Sequence, residues 1–167
     1  MSAIPASFLK SKIFFIFSVI EGAIDISPVI FFEISATIKL DYPMLIDKST
    51  EILTKSGGET KKIAVTLARE ILKRPLGGKA VVLALKGNLG SGKTNFLQGF
   101  ARGLGIKEKI NSPTFVIIKR FGNFYHFDCY RIQKQKDILN LGFKKIINNP
   151  KNIVAIEWAD KIKKIIP

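Results

Sequence analysis

Cysteine, histidine and tryptophan each occur only once in this chain, at Cys129, His126 and Trp158. A lone thiol excludes an internal disulfide and any cysteine cluster for a metal. It fits a reducing compartment, where Cys129 reads as a small core residue. A lone imidazole with no partner motif reads as a hydrogen-bonded structural group rather than a base. Acidic residues are scarce as well: 13 against 27 lysines and arginines, for a net charge of +14. That surplus favours polyanions, whether nucleic acid, nucleotides or acidic protein surfaces. The cations are scattered, however, as Lys61, Lys62, Lys107, Lys109, Lys119, Arg120, Lys144, Lys145, Lys161, Lys163 and Lys164, and most read as solvated faces of amphipathic elements. Long apolar runs are missing too. Ile13–Ile20 and Val29–Phe32, separated by Glu21, Asp25 and Pro28, are each too short to span a bilayer.

What is present is a length of 167 residues and an apolar fraction of 47%, enough for one domain with a real core. Lys10 and Lys12 ahead of the first apolar run imitate a secretory signal, but Gly22-Ala23-Ile24-Asp25 is a poor cleavage site, so a cytoplasmic protein is expected. The first 43 residues differ in character from the rest, and translation from Met44 would explain them as upstream sequence read in frame. Mass spectra of the native protein that contained peptides from residues 1–43 would exclude that start.

From Ser56 onward helical and strand patterns alternate, which predicts an α/β fold of the P-loop NTPase kind: a mostly parallel sheet with an antiparallel hairpin and helices on both faces. Ser56-Gly57-Gly58-Glu59 has capping-box spacing, and Ile63, Ala64, Leu67, Ala68, Ile71 and Leu72 line one face of the helix that follows, which Pro75, Gly77 and Gly78 end. Ala80–Leu85 is a continuous apolar run, as expected of a parallel strand covered on both sides. Phe96, Leu97, Phe100, Ala101 and Leu104 mark a second helix, stopped by Gly103 and Gly105. Phe115–Phe121 and Phe124–Asp128 are strand-like and joined by Gly122-Asn123, a link that closes hairpins. A third helix is expected over Asp137–Ile147 and a second buried strand over Asn152–Glu157.

Between the first strand and the second helix stands Gly87-x-x-x-x-Gly92-Lys93-Thr94, a Walker A pattern. Its glycines permit the torsions that let successive backbone N–H groups converge on phosphate oxygens, and the helix N-terminus adds a favourable dipole. Lys93 is the candidate to neutralise the β and γ phosphates, and the Thr94 hydroxyl the candidate magnesium ligand. Asn88, Leu89, Gly90, Ser91, Gly92, Lys93, Thr94 and Asn95 are therefore the candidate nucleotide-binding residues, with ATP as the expected cofactor.

Four further residues are candidates. Ile153–Glu157 is an apolar strand ending in an acid, the form of a Walker B segment, which makes Glu157 a candidate for holding magnesium directly or through water. Strand alternation puts Phe124, His126 and Asp128 on one face and Tyr125 and Phe127 on the other. Asp128, at the strand end, either orients water or metal or pairs structurally with Arg131. Thr114, in Asn111-Ser112-Pro113-Thr114, stands either where a switch loop senses a γ-phosphate or in a plain turn. Trp158 either joins the nucleotide site or covers the core edge.

The segments GNLGSGKT, NSPTF at Asn111–Phe115, YHFDCYR at Tyr125–Arg131 and IEW at Ile156–Trp158, in this order and spacing, resemble the TsaE (YjeE) family. The resemblance covers about Thr50 to Trp158. It implies a cytoplasmic, magnesium-dependent P-loop ATPase of tRNA threonylcarbamoyladenosine (t6A) biosynthesis. Such a protein acts with TsaB and TsaD, the latter carrying threonylcarbamoyl to adenosine 37 of tRNA, so that tRNA itself is met indirectly or weakly.

Position by position, the resemblance assigns Lys93 and Thr94 to the phosphate-loop lysine and magnesium threonine, Glu157 to the metal glutamate and Asp128 to an aspartate of ATP hydrolysis. Trp158 matches the neighbouring tryptophan, Thr114 the SPT segment, and Thr54–Ser56 a stretch near the adenine. Asn88 and Ser91 depart from the family's usual aspartate and alanine, at variable positions of the pattern. Residues 1–43 have no family counterpart, which sets the expected ATPase domain at residues 44–167, shortened relative to family members that continue through further strands. A small-molecule kinase and a binding module without turnover are the competing readings. The first lacks a lid-like arginine cluster, and the second fits a missing C-terminal segment.

Overall fold

Alternation along two central strands divides the protein into layers. In the computed structural model, which describes residues 11–18, 29–35, 50–54, 56–73, 77–111 and 116–166, strand β4 (Val81–Lys86) and strand β7 (Ile153–Glu157) pair in parallel, with Leu83 opposite Ala155 and Leu85 opposite Glu157. Leu83, Leu85 and Ala155 face one core cluster, while Val82, Ala84, Val154 and Ile156 face the other. Both faces of these strands are buried, which is why they read as unbroken apolar runs.

Strands β1 (Ser11–Ser18), β2 (Val29–Ser35), β3 (Thr50–Thr54), β5 (Ile118–Phe121) and β6 (Phe124–Asp128) join β4 and β7 in a seven-stranded sheet of order β3-β1-β2-β4-β7-β6-β5. Strand β6 joins β7 in parallel and forms an antiparallel hairpin with β5. Gly122 has φ 60, the positive value that a primed hairpin turn requires at its first central position. The region β4-β7-β6-β5 is thus mostly parallel with one antiparallel pair, as predicted. On the other side of β4, β2 pairs in parallel, and β1 pairs antiparallel with both β2 and β3. Two strands that precede Met44 therefore lie in the sheet.

Helices α1 (Gly57–Leu72) and α2 (Lys93–Gly103) cover the Leu83 face. Ser56 caps α1 as its spacing predicted, its Oγ accepting from the Glu59 N–H at 3.2 Å. A cap of this kind contributes about 1 kcal/mol. The two helices run parallel in a constant register of four-residue steps. Asn95 Nδ2 donates to the Gly57 carbonyl at 2.8 Å, a Cβ on Gly99 would stand 2.5 Å from the Lys61 carbonyl oxygen, and one on Gly103 would stand 2.7 Å from the Val65 carbonyl oxygen and 2.6 Å from the Ala68 Cβ. Gly103 was expected to stop α2. It is still helical, and its missing side chain serves the close crossing instead; the chain leaves the helix after Leu104, and Gly105 turns it with φ 82.

The opposite face is covered by α3 (Gln135–Asn140), α4 (Phe143–Ile147) and a 3-10 segment at Ala159–Ile165. A single helix over Asp137–Ile147 was expected. The chain instead breaks at Gly142, whose φ of 78 is left-handed, and restarts at Phe143 so that its ring packs edge-on against Phe127 at 5.4 Å. The strand expected from Phe115 begins only at Ile118, and Phe115 itself lies outside the described residues. Cys129 is fully buried, and burial pushes its thiol up to about 12, so it is a protonated core residue and no nucleophile.

Candidate nucleotide site

The site stands where β4, β7 and β6 end side by side. Strand β4 delivers the chain into the loop 87–92, and α2 begins at Lys93. Gly90 and Gly92 have φ of 77 and 97, a region that costs an ordinary residue about 1–2 kcal/mol, so the loop's path needs glycine at these positions. Ser91 N–H donates to the Asn88 carbonyl at 3.1 Å, which curls the loop over the start of α2.

Lys93 lies inside this curl and is 5% exposed. Its Nζ donates to the carbonyls of Gly87 and Asn88, both at 2.8 Å, and more weakly to Ser91 Oγ at 3.4 Å. It also stands 4.0 Å from the centre of the Trp158 ring, an attraction between a cation and a π face. Burial lowers the pKa of this ammonium below its ordinary value, against the opposing attraction of Glu157, Asp128 and Asp160.

Glu157 ends β7 beneath the loop and is 2% exposed. Its carboxylate accepts from the Thr94 hydroxyl at 3.2 and 3.1 Å, and Oε1 stands 3.0 Å from His126 Nε2. His126 is completely buried on β6, and its Nδ1 has no hydrogen-bond partner. An N–H at that unpartnered nitrogen would be a buried, unsatisfied donor, so the ring proton belongs on Nε2, which donates to Glu157. Asp128 ends β6 opposite Glu157, and its Oδ1 accepts from the Tyr130 N–H at 3.0 Å.

Trp158 follows Glu157 in a left-handed conformation, φ 59 and ψ 44, alone in this among the described non-glycine residues. Such a backbone costs about 1–3 kcal/mol and persists when surroundings over-determine it. Here the indole is held between Lys93 and Tyr130, whose ring centre is 5.0 Å away. Lys161 secures Tyr130 in turn by donating to its carbonyl.

A cleft of about 610 Å³ opens over these groups and is lined by Leu89 to Asn95, Val116, Ile117, Asp128, Tyr130, Arg131, Glu157 and Trp158. The structure thus brings together Leu89, Gly90, Ser91, Gly92, Lys93, Thr94, Asn95, Asp128, Glu157 and Trp158; Asn88 contributes its carbonyl to Lys93. Thr114 lies outside the described residues. Tyr130, Arg131, Val116 and Ile117 were not anticipated as lining. They follow a strand end or precede a strand start, where no periodicity fixes a side chain's direction. For Tyr130 and Arg131 the sequence does carry a hint, since they follow Asp128 and close the Tyr125–Arg131 segment of the family resemblance. Asn95 ties α2 to the first residue of α1 through the Gly57 carbonyl.

The donor set suits a metal shared with phosphate. Among the described residues there is no cluster of three His, Cys, Asp or Glu side chains that could enclose a cation alone. A hydroxyl and a carboxylate at a phosphate loop are what magnesium uses when phosphate oxygens and waters complete its shell.

A strand, a glycine loop and a helix with a buried lysine, flanked by an acid-tipped parallel strand, define a P-loop protein of the nucleotide-binding class. The sequence model of one such family, described as threonylcarbamoyl adenosine biosynthesis protein TsaE, matches residues 54–167, and the chain belongs to the TsaE family.

It is 41% identical over 90 residues to the TsaE protein of Bacillus subtilis (strain 168), covering 52% of this chain and 55% of that one. It is 33% identical over 126 residues to that of Nostoc sp. (strain PCC 7120), covering 71% and 74%, and 32% identical over 102 residues to that of Haemophilus influenzae, covering 59% and 64%. The chain thus spans between about half and three quarters of the length of these relatives. A crystal structure of Bacillus YdiB superposes with a TM-score of 0.53 at 34% identity, over 68% of this chain and 67% of that one. No helix among the described residues is long and apolar enough to cross a membrane.

Proposed function

We propose that this chain is a magnesium-dependent ATP hydrolase that drives the TsaB–TsaD partners in t6A modification of tRNA, in the cytoplasm, with residues 44–167 as its ATPase unit. The observation that carries the reading is the contact between Thr94 and Glu157. These residues are 63 apart in sequence, yet a hydroxyl and a carboxylate meet at 3.1 Å at the mouth of the phosphate loop.

In this reading the backbone N–H groups of Asn88–Asn95 cradle the phosphates, and Lys93 turns its ammonium from the Gly87 and Asn88 carbonyls toward the β and γ oxygens. The Thr94 hydroxyl gives its proton to the Glu157 hydrogen bond, which leaves its lone pairs for the metal, and Glu157 supports the ion directly or through water. Bound magnesium neutralises charge that develops on the phosphate oxygens. Asp128, at the adjacent strand end, orients the attacking water, Trp158 closes the cleft over Lys93, and Thr114 senses the γ-phosphate. The result is a switch: nucleotide state sets the surface that the partner proteins recognise.

Lys93→Ala is expected to abolish ATP binding, whereas Asp128→Ala slows turnover by at least about tenfold with binding largely kept. Equal ATPase rates in wild type and both variants would sink the assignment. Phosphate release measured with and without TsaB and TsaD separates the switch from a module that never turns over. Depletion of the protein followed by nucleoside analysis of tRNA tests the pathway, since unchanged t6A would rule it out.

A further inference from the structure

A second cleft, of about 580 Å³, lies away from the nucleotide site, and its rim carries Lys61, Arg102, Lys107 and Lys109 against one acid, Glu108. In the sequence Lys61, Lys107 and Lys109 are among the scattered cations. The fold gathers them by two devices already described. The glycine crossing sets α1 against α2 where Gly99 meets Lys61, which puts Lys61 and Arg102 on one rim. Gly105 then turns the chain so that residues 106–110 fold back along α2, where Ile110 is buried and the Gln98 side chain donates to the Ile110 carbonyl at 3.0 Å. The wall is therefore anchored to α2, and the charged side chains on its rim are exposed.

None of the four cations forms an ion pair with a described residue. Unpaired like charges around a concave, low-dielectric wall reinforce one another's field and attract anions. The exposed large apolar side chains, Leu72, Leu89, Val116, Tyr130 and Leu141, all lie elsewhere. A protein partner normally needs a buried apolar or aromatic anchor, which this rim does not offer, whereas a phosphate backbone needs only cations. Arg102 lies in the last turn of the helix whose first residue is Lys93, about 14 Å along the axis at 1.5 Å per residue, so the two clefts stand toward opposite ends of α2.

We infer that this cleft binds the phosphodiester backbone of RNA, separately from the nucleotide site. The choice of tRNA as the probe rests on the proposed function; the cleft itself does not. The experiment measures binding of an unmodified tRNA transcript to the full chain across a series of salt concentrations. The comparison is between wild type, the Arg102→Ala/Lys107→Ala/Lys109→Ala variant, and a Lys144→Ala/Lys145→Ala/Lys151→Ala variant with the same change in net charge.

The cleft variant is expected to lose about tenfold or more in affinity at low salt, and its plot of log K against log salt to become shallower by about two to three. The control variant should change much less. Nucleotide binding should persist in both, which shows that they are folded and keeps this result distinct from failure of the ATPase reading. Equal losses in the two variants, no change in the cleft variant, or no tRNA binding by wild type at low salt would each overturn the inference. So would loss of TsaB–TsaD binding with tRNA binding intact, since that outcome would make the cleft an acidic-protein site.

Discussion

At Lys93, binding and stability pull in opposite directions. Burial costs this ammonium more than the neighbouring carboxylates return, so its pKa in the folded chain lies below the ordinary 10.5. The unfolded chain therefore holds this proton more readily. Stability is lost as pH falls through 10.5 toward the folded value, and the cost is fully present below that value. Lys93→Met should keep the melting temperature or raise it by a few degrees, at about 2–4 °C per kcal/mol, while nucleotide binding disappears. Calorimetry showing a fall of similar size would refute the balance.

His126 presents a different case, because its Nε2–H acts on the site only through Glu157. His126→Phe should raise the magnesium concentration needed for half-maximal nucleotide binding and leave metal-free nucleotide affinity little changed. His126→Gln, which keeps an N–H near the carboxylate, should recover part of the loss. A uniform loss of stability with unchanged magnesium dependence would reduce His126 to a packing role. The strand alternation put His126 and Asp128 on one face from the sequence alone, but the partner of His126 belongs to another strand and has no local signature.

Between elements, the governing contact is the four-step register of α1 on α2. Gly99→Ala would drive its Cβ to 2.5 Å from the Lys61 carbonyl oxygen, a backbone atom that moves only with its helix. Overpacking of this kind costs about 1–3 kcal/mol, to be read as a shift in denaturation midpoint. Gly58→Ala is the useful contrast, since the nearest atom to its Cβ would be Ser56 Oγ at 3.7 Å. That variant should be neutral or slightly more stable. An unchanged midpoint for Gly99→Ala would mean that the helices separate easily. Amphipathic spacing announced both helices, and the Ser56 cap set one start. It gave no sign that Gly103 was a packing glycine, because a helix end and a helix crossing both favour the same residue. The break at Gly142 was equally hidden: the apolar period runs through it, and the pull of Phe127 on Phe143 is a long-range contact.

For the molecule as a whole, every residue lining the described nucleotide cleft comes from Leu89 onward, while β1 and β2 pair on the far side of β4. A chain beginning at Met44 should therefore bind nucleotide with an affinity within about twofold of the full chain, by titration calorimetry; each factor of ten lost would correspond to about 1.4 kcal/mol of support from the first 43 residues. The net charge of +14 is a property of the same scale. Its sign predicts affinity for polyanions, but its distribution is decided by folding.

The sequence by itself determined the phosphate loop, the strand before it, the helix after it and the acid-tipped strand, because each depends on neighbours in the chain: glycine torsions, a helix N-terminus, an apolar run. Only the tertiary structure decided that Glu157 receives Thr94 and His126, that Trp158 roofs Lys93, and that Lys61, Arg102, Lys107 and Lys109 share one rim. Those contacts join residues whose separation along the chain carries no energy of its own. They exist because burying both faces of β4 and β7 fixes where every neighbouring strand and helix must lie.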